Sequence, residues 1–231
     1  MGRAEGTVPE APSRKERAAA TRRRILDSAL AAFSERGYSA TTMDAVAADA
    51  GVAVQTVYFT FGTKSELLQA VFEHSVLGPE QTPPHLMPWW PRLDDGHDIT
   101  TAVTRLIDGT MEVLTRAAPL VWSVVGDEGA RARYEHNEQL RRYGYAELVN
   151  ILAEKHPLRP GLTPPRARDV LLVLTAPQLF VQFTRELGWS TDELAAWITT
   201  AVLEQVYATT QDPAPQTSPS SKEPDDRPRQ P

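Results

Sequence analysis

The residues equipped for chemistry gather in one stretch, Thr41 to Leu68. Its hydroxyls, its amide and its ammonium group (Thr41, Thr42, Gln55, Thr56, Tyr58, Lys64) suit hydrogen bonding better than bond making. Elsewhere covalent and metal chemistry is poorly provided for. With no cysteine, thiolate sites, disulfides and cysteine nucleophiles are excluded. His74, His85, His97, His136 and His156 show no metal-ligand spacing and are expected at the surface. No Ser/His/Asp order, phosphate-cradling glycine loop, HExxH or DxD pattern occurs, so neither an enzyme nor a cofactor nor a metal site is expected.

Charge locates the partner. The net charge of −6 argues against nucleic acid only if it is evenly spread. From Ser13 to Lys64 eight basic residues face five acidic ones, whereas residues 76–231 hold 15 basic and 21 acidic. A head of +3 on a body of −6 suits contact with DNA at one end.

The stretch TTMDAVAADAGVAVQTVYFTFGTKSELL also dictates its own backbone. Thr41 or Thr42 caps a short helix with Met43, Val46 and Ala47 turned inward, ending near Ala50. Gly51 supplies the positive φ that a tight turn between helices requires, Val52 fills the angle, and a second helix starts at about Ala53. Two such short helices bury little, so a preceding helix (Arg14 to Arg36, ended by Gly37) and a following one opened by the Thr63-x-x-Glu66 capping box must close a core around Val46, Val52, Val57 and Phe61. That unit needs about 60 residues.

Taken together, Thr41-Thr42, Ala50-Gly51-Val52, Thr56-x-Tyr58 and Phe61-x-x-Lys64 resemble the TetR family of repressors, over roughly residues 15–75. The resemblance implies double-stranded DNA as partner, in an inverted-repeat operator. It places Thr41 and Thr42 on a phosphate at the start of the second helix, and Tyr58 and Lys64 on phosphates of the flanking strand. Gln55 and Thr56 then face base edges, glutamine pairing with adenine and threonine touching a thymine methyl. Val54 stands where many relatives carry a polar residue, and Phe59 and Thr60 where histidine or tyrosine pairs are frequent; Val54 and Phe59 suit apolar contacts with methyls or sugars. Part of the recognition then moves to DNA shape and to the basic arm Ser13 to Arg24.

Beyond the head, prolines between Pro79 and Pro91 break the helical period and mark a junction. Helical stripes follow: Ile99, Val103, Leu106, Ile107, Thr110 and Leu114, then Leu140, Gly144, Leu148, Ile151 and Leu152. A helix from about Pro164 to Leu187, kinked at Pro177, and one over about 191–209 behind the Ser190-x-x-Glu193 box end the fold. The expected architecture is all-α, a three-helix helix-turn-helix DNA-binding unit plus a larger helical ligand-binding and dimerisation domain. Its boundaries are an N-terminal arm 1–13, the DNA-binding unit 14–77 (helix-turn-helix about 41–61), a linker 78–97, the body 98–210 and a tail 211–231. Both arm and tail have disordered-type composition. The last two helices are too apolar for one chain to cover, which points to a homodimer through Leu171, Leu174, Leu194, Trp197, Ile198 and Ala201. The resemblance further implies a pocket for an unknown small-molecule effector, with Met111, Trp122, Tyr143 and Phe180 as candidate walls. A ligand-independent activator or architectural factor is the competing expectation. No membrane segment or secretory leader is read, so the expected location is cytoplasmic.

Overall fold

A computed structural model describes residues 13–92, 96 and 98–208. Residues 1–12 of the expected arm and the whole expected tail lie outside the described residues. Among those described, the order is α1 (Arg14–Arg36), α2 (Met43–Asp49), α3 (Val54–Phe61), α4 (Lys64–Leu77), α5 (Ile99–Val124), α6 (Arg131–Ala153), α7 (Pro164–Leu174), α8 (Pro177–Val181) and α9 (Thr191–Val206). The only β pairing among them is an isolated bridge between Leu158 and Tyr207.

Local chemistry sets the helix ends. Ser13 with Glu16, Thr63 with Glu66 and Ser190 with Glu193 each form a reciprocal capping box, satisfying backbone donors that the first turn leaves open. Gly37 (φ 84°) closes α1 and Gly51 (φ 65°) turns the chain between α2 and α3, both in the left-handed region that side chains avoid.

Two cores result. The head core joins Ile25, Ala29 and Phe33 of α1, Met43 and Val46 of α2, Val57 and Phe61 of α3, and Leu67, Leu68, Val71 and Phe72 of α4. It does not close on itself: Leu120, Val121 and Val124 from the end of α5, together with Ala130, complete it. The N-terminal half of α5 (Val103, Leu106, Ile107, Met111, Leu114) instead belongs to the body core, with Leu148 and Leu152 of α6, Leu171 of α7, Phe180 of α8 and Leu194, Ile198 and Val202 of α9. At 26 residues α5 is about 39 Å long, enough to run through both cores. The packing unit of the head therefore extends past residue 77, because α1 to α4 leave an apolar face that the end of α5 covers.

Several expectations need correction. Pro177 does more than kink: Thr175 and Ala176 leave the helix and α8 begins anew at the proline, whose missing N–H is harmless only in a first turn. A π-helical turn, Gln182–Glu186, continues α8. The last helix stops at Val206, where Tyr207 pairs with Leu158. Leu140 is exposed, although it sits in the apolar stripe of α6. His74 is not a surface group: its Nε2 lies 2.7 Å from Asp27 Oδ1, with the side chain only 11% exposed.

The proline-rich segment is packed rather than slack. The Trp89 indole lies directly on Gly109 of α5, where a Cβ would fall inside the ring, and Trp90 reaches Gly144 of α6. These two rings, 6.0 Å apart, strap the linker across the body.

Candidate nucleic-acid interface

The site starts from α3, an eight-residue helix whose inward side is Val57 and Phe61. With those two buried, the 3.6-residue period turns Gln55, Tyr58 and Phe59 outward together. Tyr58 is 50% exposed and Phe59 is 94% exposed, about as bare as a side chain becomes. Thr56 lies beside them, half-buried. No side chain caps the start of α3 at Ala53; the Thr56 N–H donates instead to the Ala53 carbonyl at 2.9 Å. Val54 is the exception among the residues expected here: it is partly buried and packs on the head core, which leaves little of it for a thymine methyl. Thr60 donates its hydroxyl to the Thr56 carbonyl at 2.7 Å.

The paired threonines have separate fates. Thr42 is the N-cap of α2; its oxygen accepts from the Ala45 N–H at 3.1 Å, and its own O–H has no acceptor among the described residues. Thr41 is 1% exposed, and its hydroxyl donates to Gly37 O (2.8 Å) and Ala32 O (3.2 Å) while its N–H bonds Tyr38 O. Its expected phosphate contact is therefore corrected: Thr41 ties α2 to the end of α1 from inside.

At the other edge of the face, Lys64 opens α4. Its Nζ sits 4.3 Å from the Tyr38 ring centroid and donates to Ser39 O at 3.4 Å. Burial lowers its pKa, opposed by the Asp127 carboxylate. Three of the arginines on α1 are engaged: Arg22 lies 4.5 Å over the Phe61 ring, Arg23 donates to the Pro79 carbonyl at 3.1 Å, and Arg36 meets α2. Arg36 pairs with Asp49 at 2.7 Å, clipping α2 to α1. Sequence reasoning did not find Tyr38, Ser39 and Asp127, since Asp127 bonds a residue 88 positions away and no local pattern marks such a pair.

The residues expected to wall an effector pocket are not brought together. Met111 and Phe180 are buried in the body core, whereas Tyr143 is 68% and Trp122 44% exposed. Of the residues expected at a dimer interface, Leu171, Leu194 and Ile198 are fully buried within the chain and cannot meet a second copy. Leu174 and Ala201 are half-buried and Trp197 is 40% exposed, stacked on Phe183 at 5.3 Å. Among the described residues no group of side chains has the makings of a metal site.

The fold and this outward face define a helix-turn-helix unit carried on a helical body. Residues 25–71 match the family model "Bacterial regulatory proteins, tetR family". The HTH-type transcriptional regulator SrpR of Pseudomonas putida is 49% identical over 51 residues, 22% of this chain and 24% of that protein. The HTH-type transcriptional regulator AcrR of Shigella flexneri is 41% identical over 61 residues, 26% of this chain and 28% of that protein. These matches therefore span about a quarter of each relative. Across nearly the full fold the chain is similar to the crystal structure of NalD, the secondary repressor of the MexAB-OprM multidrug efflux pump in Pseudomonas aeruginosa. That likeness has a TM-score of 0.63 at 24% identity and covers 83% of this chain and 98% of that one. Residues 25–71 are thus similar to the TetR family's N-terminal unit, and the chain as a whole shares its fold with solved regulators of that family.

Proposed function

We propose that this chain is a DNA-binding transcriptional regulator, working as a homodimeric repressor on an inverted-repeat operator and released from it by a small-molecule effector. The observation that carries the first part is the face of α3, where Phe59 stands 94% exposed between Gln55 and Tyr58. A phenylalanine so bare, on a helix whose opposite side is fully packed, makes sense as a contact residue. Gln55 and Thr56 read base edges, Phe59 packs on methyls or sugars, and Thr42, Tyr58 and Lys64 hold phosphates. No helix among the described residues is long and apolar enough to cross a membrane.

The dimer brings two α3 helices to successive major grooves, about 34–36 Å apart. Its interface uses the outer sides of α7 and α9, with Val173 (64% exposed) and Trp197 at its centre and Leu174 and Ala201 beside them. For the effector, Met111 lines an open cleft of about 250 Å³ between α5 and α9, together with Asp108, Glu112 and Asp192. Those acidic walls make a cationic ligand the class to try first.

Selection of sites from random duplex DNA by the purified full chain, followed by a salt series on the winner, tests the reading. An inverted repeat with a steep salt slope is the expected outcome. Failure to enrich any sequence, with and without a panel of cationic ligands, would sink it.

A further inference from the structure

Lys64 is fixed by groups from both units of the fold. Its ammonium is held by the Tyr38 ring and the Ser39 carbonyl, which form the corner between α1 and α2. That corner is gripped in turn by the loop joining α5 to α6. The Ser39 N–H donates to Asp127 Oδ2 at 2.9 Å, while Asp127 Oδ1 accepts from the N–H groups of Gly129 (2.8 Å) and Ala130 (3.3 Å). Tyr38 is buried against Gly129, and one turn into α6 Arg133 Nε donates to Ser65 Oγ at 3.0 Å, beside Lys64. One carboxylate thus stiffens the body's loop with one oxygen and holds the head's corner with the other.

We propose that Asp127 is a positioning residue for the phosphate contact of Lys64, so that the α5–α6 loop is where the body sets the grip of the head on DNA. This rests on the DNA-binding reading above. With the Ser39 bond in place, the corner presents one carbonyl and one ring to the ammonium, and Lys64 meets a phosphate already oriented. Without it the corner is free to turn, and the lysine must be ordered at the moment of binding. The same donors hold the Asp127 carboxyl below the ordinary carboxylate range, led by Ser39, so the group is charged when it does this.

The sign of the effect separates positioning from bystander charge. A carboxylate that merely stood near DNA would repel phosphate, so neutralising it would tighten binding. A positioning residue does the reverse. Affinity of full-length Asp127→Asn for the selected duplex, measured across a salt series, is expected to be weaker by about 3–10-fold, with the salt slope reduced toward that of Lys64→Ala. In a Lys64→Ala background the same substitution is expected to change nothing further. Asparagine keeps the shape and one acceptor for the Gly129 and Ala130 amides. Should that variant not fold by circular dichroism, Asp127→Glu, which keeps the charge but moves it, is read in the same way. If the parent protein binds its duplex and Asp127→Asn binds as tightly or more tightly, or weakens binding equally without Lys64, the inference is overturned while the DNA-binding reading stands. A parent protein that enriches no duplex removes both.

Discussion

Phe59 and Thr41 mark the two ways in which a residue of the motif meets its surroundings. Phe59 is spent outward, and Gln55 one helical turn before it shares that direction. Gln55→Ala is expected to cost about 1–3 kcal/mol on the selected site and little on random DNA, whereas Lys64→Ala weakens both alike and lowers the salt slope by about 1. Competition binding against random duplex at several salt concentrations checks the pair. Thr41 is spent inward. Thr41→Val keeps the shape but removes the donor to two carbonyls, and should lower stability by about 1–2 kcal/mol in urea denaturation with DNA affinity of the folded protein unchanged. Thr42→Val should do the opposite in the binding assay. Asp127 adds a pH dependence. Its folded pKa is depressed, so the stability it contributes is fully present above the ordinary carboxylate value of about 3.9 and is lost as pH falls through the lower folded value. The melting temperatures of the parent protein and Asp127→Asn are therefore expected to differ at about pH 6 and to converge toward about pH 3. A gap that persists at low pH would show that the carboxylate is not its source.

At the scale of elements, the capping boxes and the glycines that end helices are local events, and sequence displays them directly. Thr63-x-x-Glu66 and Ser190-x-x-Glu193 open helices at the residues their spacing indicates. What spacing does not display is which element covers which. The strap 79–91 breaks helix, as its prolines require, yet it is fastened by Trp89 on Gly109. Gly109→Ala would drive a methyl group into that indole, and overpacking of this kind costs about 1–3 kcal/mol. The expected result is a lower melting temperature together with altered tryptophan emission, because Trp89 must leave the helix surface. Unchanged emission would mean that the indole does not rest there.

For the whole molecule, α5 is the member that makes head and body one object, since its first half packs in one core and its last turns in the other. The body is therefore joined to the head by one helix and by the Asp127 loop just past its end. The dimer proposal belongs to this scale as well. Val173→Glu with Trp197→Glu is expected to give a folded monomer in sedimentation, with affinity for an inverted repeat falling to that for a single half-site. Leu171→Glu, by contrast, buries a charge in the body core and should unfold the chain. Dimers surviving the first pair would move the interface elsewhere.

The all-helical fold, the helix-turn-helix and the family likeness of the head could be read from the chain alone. Each depends on spacings of a few residues: a cap, a glycine, an apolar period. So could the outward group Gln55, Tyr58 and Phe59, because burying Val57 and Phe61 on so short a helix leaves them no other direction. Tertiary structure alone decided that Thr41 and not Thr42 is buried, that Leu171, Leu194 and Ile198 serve the chain's own core, that Trp122 and Tyr143 stand outside, and that Asp127 reaches Ser39. The physical reason is common to all four. An apolar period says that one side of a helix is covered and is silent on whether the cover comes from the same chain or another; a hydroxyl or carboxylate shows its donors and acceptors, but its partner is chosen by how helices far apart in sequence come to lie against each other.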